Sequence, residues 1–283
     1  MRSLGNLDDT KGVAKALRRA IASGAVHAHY QPALDLRDGS LVGVEALARW
    51  HEPGFGAVSP DDFVPAAEQE GLMIDLTHCM LDQVAGCSAR GAGKGRLLPL
   101  SVNISAASVS DELVALLFGA LDVGRVQPHQ LTVELTETSW FHDGVQARRS
   151  LRRLHDAQIR LSIDDFGIGW SSLAYLADLP VSELKIDRSF VQRLPDSYEI
   201  RCIVRRTIEL AHDLGVTVVA EGIETEAQRT ALLELGCWQA QGFLIARPMP
   251  ENALWHWLER GDRLPRGGPS IASRRRLPCS TSG

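Results

Sequence analysis

No run of eighteen or more apolar residues occurs in this chain, so no membrane-spanning helix is expected. The first ten residues carry no apolar core, and no secretory leader is expected there. Cysteine is sparse: five residues, Cys79, Cys87, Cys202, Cys237 and Cys279, with no C-x-x-C pair. That pattern argues against a disulfide frame and a structural zinc site, and for reduced thiols in a cytoplasmic protein. An excess of basic charge is also missing. The formal net charge is −5, which gives no support to polyanion binding over the whole surface, so no nucleic-acid partner is expected. Aromatic residues make up 6%, and Trp50, Trp140, Trp238, Trp255 and Trp257 are read as packing rather than stacking on bases. His27, His29, His142, His155 and His212 show no metal-ligand spacing and are read as structural. No internal repeat is present beyond an alternation of strand and helix signals.

What is present is 283 residues of ordinary globular composition, 45% apolar and 23% charged. One α/β barrel needs about 250. A helix capped by Asp8-Asp9-Thr10 and stopped by Gly24 opens the chain. Residues 26–36 and 41–49 read as a hairpin about a turn at 37–40. Helices at 59–70 and 74–90 precede a strand at 97–104. A helix at 110–121 precedes a strand at 131–135, and a helix at 143–156 precedes one at 159–163. The alternation continues through 171–177, 181–186, 200–214, 216–220, 224–235 and 237–241, and a helix at 254–258 closes it. Strand and helix in this rhythm indicate a parallel barrel or an open doubly wound sheet. Residues 1–7 and 263–283 have too little apolar content to repay ordering and are expected to be disordered. Arg274-Arg275-Arg276 is read as a solvated tail segment.

Polar side chains close many of the apolar runs. Glu45, Asn103, Glu134, the pair Asp164-Asp165, Lys185 with Asp187, Glu221 and Gln241 each end one. In a barrel, such residues converge on the mouth at the carboxyl ends of the strands, which favours the barrel over a sheet with a single switch point. Carboxylates gathered so densely repel one another unless a cation sits among them, and oxygen donors suit magnesium or manganese. Adjacent Asp164 and Asp165 normally point to opposite faces of a strand. Both are therefore expected to reach one site only where the strand ends, with Gly167 and Gly169 permitting the turn.

Glu45-Ala46-Leu47-Ala48-Arg49 resembles the signature of the EAL-domain family, whose members hydrolyse cyclic di-GMP in bacteria. Seven further blocks follow the family's order: Tyr30-Gln31-Pro32, Ser101-Val102-Asn103-Ile104-Ser105, Glu134-Leu135-Thr136-Glu137, Ile163-Asp164-Asp165-Phe166-Gly167, Leu184-Lys185-Ile186-Asp187, Ala220-Glu221-Gly222-Ile223-Glu224 and Gln241-Gly242-Phe243. Any block alone is weak evidence; the ordered set, across residues 7–258, is strong. The resemblance implies an α/β fold, a modified (β/α)8 barrel with one antiparallel strand, over a domain at 8–262. It implies two divalent ions, Mg2+ or Mn2+, one at Glu45, Asn103, Glu134 and Asp164 and a second at Asp164, Asp165 and Glu221, with Ca2+ inhibitory. It assigns Lys185 to the attacking water, with Glu45 and Glu221 beside it, and Gln31, Leu47, Arg49 and Gln241 to substrate. Glu137 matches an anchor of the loop after Asp165, and Asp187 and Glu224 match supporting carboxylates. The implied partners are cyclic di-GMP, a second copy of the chain in a homodimer, and a regulatory sensor protein or domain.

The resemblance implies hydrolysis to linear 5′-pGpG. The competing reading is a catalytically weak cyclic di-GMP receptor or interaction module, but such relatives usually lack part of the acidic set that is complete here. A third reading, an enolase-like barrel, leaves Gln31, Arg49 and the twin aspartates without a role. The chain departs from relatives at Ile168 and Trp170, where Thr and Tyr are common, so the level and control of activity are less determined than the activity. No cyclase, PAS or receiver segment is recognised.

Overall fold

The computed structural model describes residues 10–122, 126–136, 144–167 and 179–261. The expected lead and tail, the helix at 171–177, and Glu137, Trp140, His142, Ile168, Gly169 and Trp170 lie outside these residues. No helix among the described residues is long and apolar enough to cross a membrane.

Chain order is α1 (Thr10–Ser23), β1 (Val26–Asp35), β2 (Leu41–Glu52), β3 (Gly56–Val58), α2 (Pro60–Gln69), α3 (Met73–Gly93), β4 (Leu100–Ile104), α4 (Asp111–Asp122), β5 (Leu131–Thr136), α5 (Gly144–Asp156), β6 (Arg160–Phe166), β7 (Glu183–Ile186), α6 (Arg188–Arg193), α7 (Tyr198–Asp213), β8 (Thr217–Ala220), α8 (Glu226–Leu235), β9 (Gln239–Gln241), β10 (Met249–Pro250) and α9 (Glu251–Arg260). The short β3, α6 and β10 had no separate signal in the sequence pattern.

The sheet order β1-β9-β8-β7-β6-β5-β4-β2 is closed by the β1–β2 hairpin, giving an eight-stranded barrel. Strand β1 runs antiparallel to both its ring neighbours. The other ring pairs are parallel. The ββ opening of the sequence accounts for this: a hairpin forces one reversal, and every later strand arrives by a helical crossover.

Alternation along the strands sets two environments. Val44, Ala46, Leu100, Val102, Leu131, Val133 and Leu161 point outward and join α3, α4, α5 and α9 in one core. Leu184, Ile186 and Ala220 do the same against α7 and α8. A third cluster seats α1 and α2, with Trp50 meeting Phe63 edge to face at 5.9 Å. Trp50 thus packs as expected, whereas Trp238 is 44% exposed with Arg37 over its ring. The inward positions carry the polar set.

The segment after β9 is held tightly. Ile223 N–H donates to the Gln241 carbonyl, Leu244 N–H to the Ile223 carbonyl, and Ala246 N–H to the Gly242 carbonyl. A Cβ on Gly242 would run into the Ile223 backbone. Backbone in two segments cannot yield as a flexible side chain can. Gly242→Ala is therefore expected to cost about 3 kcal/mol or more, measured as a lower denaturation midpoint with an unchanged slope.

Candidate active site

The site is built from inward-facing residues at the mouth of the barrel. Glu45 on β2 sits opposite Gln31 on β1, and Asn103 on β4 opposite Glu134 on β5. Thr136 of β5 stands opposite Asp164 of β6, and Lys185 of β7 opposite Val219 of β8. Glu221 follows β8 directly, with its N–H bonded to the Ile186 carbonyl. The Thr225–Gln228 capping box of α8 steadies that loop, and Gln228 also accepts the Glu224 N–H.

Lys185 occupies the centre and is 2% exposed. Its Nζ lies 2.5 Å from Glu221 Oε1, 2.8 Å from Glu134 Oε2, 3.3 Å from Glu45 Oε2 and 3.6 Å from Asp164 Oδ1. Asn103 donates to Glu45 Oε1 at 2.6 Å. Gln241 Nε2 bridges Glu45 Oε2 at 2.6 Å and Gln31 Oε1 at 3.0 Å. Gln31 in turn donates to the Ala246 carbonyl. One chain of bonds thus joins β4, β2, β9 and β1.

Two expectations about strand ends need correction. Glu45 is not terminal, because β2 runs on to Glu52 as one arm of the hairpin. Nor does β6 end at Asp164. It continues to Phe166, and the pairing with β7 slips between Ile163 and Phe166. Asp165 there adopts a left-handed φ of 55°. A bulge re-aims side chains, and this one undoes the alternation that would separate the twin aspartates. Carboxylate oxygens of Asp164, Asp165 and Glu221 come within 4.8 Å of one another.

The electrostatics show too much negative charge for one ammonium. Burial alone would lower the Lys185 pKa, but Asp164, Glu134, Glu221 and Glu45 hold it well above its ordinary value. Burial, then the Glu45 charge, pushes Glu134 well up. Burial, then Asp164, takes Asp165 to about 6. Glu221 reaches about 8 because burial and Asp164 together outweigh Lys185. Glu45 alone goes down: burial opposes this, but Lys185, Gln241 and Asn103 prevail. Carboxylates raised by burial and by one another's charge make a donor set suited to hard divalent ions.

The remaining sequence candidates are placed more loosely. Arg49 is half-buried, donates to the Ala48 carbonyl at 2.8 Å and is lowered by burial. Leu47, also half-buried, pairs across the hairpin with His29. His29, read as structural, faces Pro248 and Arg49, and burial followed by the Arg49 charge lowers its pKa. Asp187 is buried, caps α6 through Ser189 N–H and contributes to the rise at Asp165. Glu224 is exposed. Sequence reasoning missed the bulge; a left-handed Asp leaves no composition signal.

The chain matches the EAL domain family over residues 14–248. It is 38% identical over 240 residues to the bifunctional diguanylate cyclase/cyclic di-GMP phosphodiesterase MucR of Pseudomonas aeruginosa, covering 84% of this chain and 35% of MucR. It is 36% identical to the oxygen sensor protein DosP of Escherichia coli, covering 86% of this chain and 31% of DosP. The chain thus spans about a third of the length of these curated relatives. A solved structure described as the PaMucR phosphodiesterase in complex with c-di-GMP superposes with TM-score 0.81 at 38% identity, covering 86% of this chain and 99% of that one.

Proposed function

The chain belongs to the EAL-domain family, and we propose on that premise that it is a metal-dependent phosphodiesterase hydrolysing cyclic di-GMP to linear 5′-pGpG. The observation that carries this reading is the buried Lys185 ammonium among four carboxylates, with Asp165 turned in beside them by the bulge. The complete acidic set favours turnover over mere binding of the ligand.

Glu45, Asn103, Glu134 and Asp164 would hold one divalent ion, and Asp164, Asp165 and Glu221 a second, together supplying an activated water and neutralising charge on the phosphate. Lys185 orients the attacking water and keeps its own proton, because the surrounding carboxylates stabilise the ammonium. The water oxygen forms a bond to phosphorus as the bond to the 3′ oxygen breaks, with net transfer of one water proton to that oxygen, leaving a 5′ phosphate and a 3′ hydroxyl. Arg49 presents a planar fork to the non-bridging oxygens. Gln31 and Gln241 fix the mouth, and Leu47 supplies an apolar wall for the nucleoside. The proposal extends to a cytoplasmic homodimer with a regulatory sensor protein or domain as partner, the assembly state being open to light scattering.

Purified protein incubated with cyclic di-GMP and Mg2+ or Mn2+ should yield 5′-pGpG by chromatography. Undiminished substrate with both ions present would sink the reading. Arg49→Ala should raise KM by about 10- to 100-fold and lower kcat much less, since the guanidinium binds phosphate in ground and transition states alike. Steady-state kinetics separates the two effects.

A further inference from the structure

Directly beneath the site's carboxylates the barrel interior holds a partly open cavity of about 30 Å3. Ser101 and Thr132 line its wall, Glu134 and Lys185 its roof, and Arg160 and Glu183 its floor. At the floor Arg160 Nη2 lies 3.3 Å from Glu183 Oε2 in a partly exposed ion pair. TIM barrels usually fill this space with branched apolar side chains. Here Gly43, Ser101 and Thr132 share the lining with Val219 and the charged residues, so polar groups border much of the space that remains.

Ser162 is not among the residues that line this cavity but lies beside it, in register with two that do. It lies on β6 between Arg160, which lines the cavity, and Asp164, which meets Lys185, and residues two apart share a face. Its backbone stands opposite Glu134 on one side and Glu183 on the other. Ser162 is fully buried, and its Oγ has no hydrogen-bond partner among the described residues. A buried hydroxyl without a partner is costly. One water needs about 10–15 Å3 on the same measure and two to four polar partners. The cavity has the room, and its hydroxyls, carboxylates and ammonium are the partners.

We propose that the barrel interior holds ordered water bound by Ser162 Oγ and Thr132, which supports the Lys185–Glu134 pair from below. Ser162 is then a positioning residue that acts through water and touches no substrate. The catalytic half of this inference rests on the phosphodiesterase reading; the hydration half does not.

Ser162→Ala distinguishes wet from dry by the sign of its effect. With bound water, removal of the hydroxyl breaks a network and lowers Tm by about 2–4 °C. In a dry cavity it relieves an unpartnered hydroxyl and leaves Tm unchanged or higher, which would overturn the proposal. A high-resolution crystal structure of the intact chain should show density between Ser162 and Lys185, and a dry cavity there would also overturn it. For catalysis, Ser162→Ala should lower kcat about 3- to 10-fold with KM within twofold, and Ser162→Thr should restore most of it. Equal kcat in all three proteins, with water present, would reduce Ser162 to a structural role and refute the positioning. An intact chain that binds no cyclic di-GMP and turns none over refutes the phosphodiesterase reading instead, and the Tm result still decides the water.

Discussion

Removal of divalent cations by a chelator is expected to abolish hydrolysis, by at least about 1,000-fold, because in the proposed mechanism activation of the water and neutralisation of the phosphate both depend on them. Excess Mg2+ or Mn2+ should restore it. Ca2+, larger and less strict in its geometry, should occupy the site without supporting comparable turnover. Full activity in excess chelator would refute the metal-dependent mechanism. The same carboxylates predict a pH effect on the cation-free protein. Asp165 is raised from 3.8 to about 6 and Glu221 from 4.5 to about 8. The folded state therefore binds more protons than the unfolded state between those values. Their contribution to stability is full below about pH 4 and is lost as pH rises through about 6 and then 8. Thermal melts at pH 5 and pH 8 in chelator should show the lower Tm at pH 8, and Mg2+ should narrow the gap. A gap unaffected by the cation would show that these groups are not where it binds.

Loss of the central ammonium should be nearly as severe. Lys185→Ala is expected to lower kcat by about 100- to 10,000-fold, in the range for a group that handles the reacting proton or water, with KM changed far less. It also leaves Glu45, Glu134 and Glu221 buried around an uncompensated space. Breaking a buried ion pair on one side costs about 3–5 kcal/mol, so the variant's unfolding must be measured alongside its kinetics. Lys185→Met, which retains most of the side-chain volume, separates lost charge from lost packing. Normal turnover by a folded Lys185→Met protein across the pH range would remove Lys185 from the chemistry. Glu45→Ala should also lose turnover by orders of magnitude, but through the cation rather than the water. Excess Mg2+ should recover part of the Glu45→Ala loss and none of the Lys185→Ala loss.

Much of this protein is legible in its sequence because the relevant information is local. The hairpin signal at 26–49 gives the reversed first strand, and the strand–helix alternation after it gives the parallel ring. The apolar runs ending in Glu45, Asn103, Glu134, Asp164, Lys185 and Glu221 give one site, since inward positions of neighbouring strands must converge. Side-chain alternation and crossover length are properties of short segments, and composition exposes them. Tertiary structure alone decided three things. It set the antiparallel register of β1 against β9 by which the expected barrel closes, a pairing of the first strand with the last ring strand. It bent β6 at Asp165, because a register slip against β7 exists only once two strands are paired. It buried Lys185 among four carboxylates above a polar cavity, so that a residue which would be a solvated cation in isolation became the charge balance of the site. Burial and proximity are sums over distant segments, and no window of the sequence contains them.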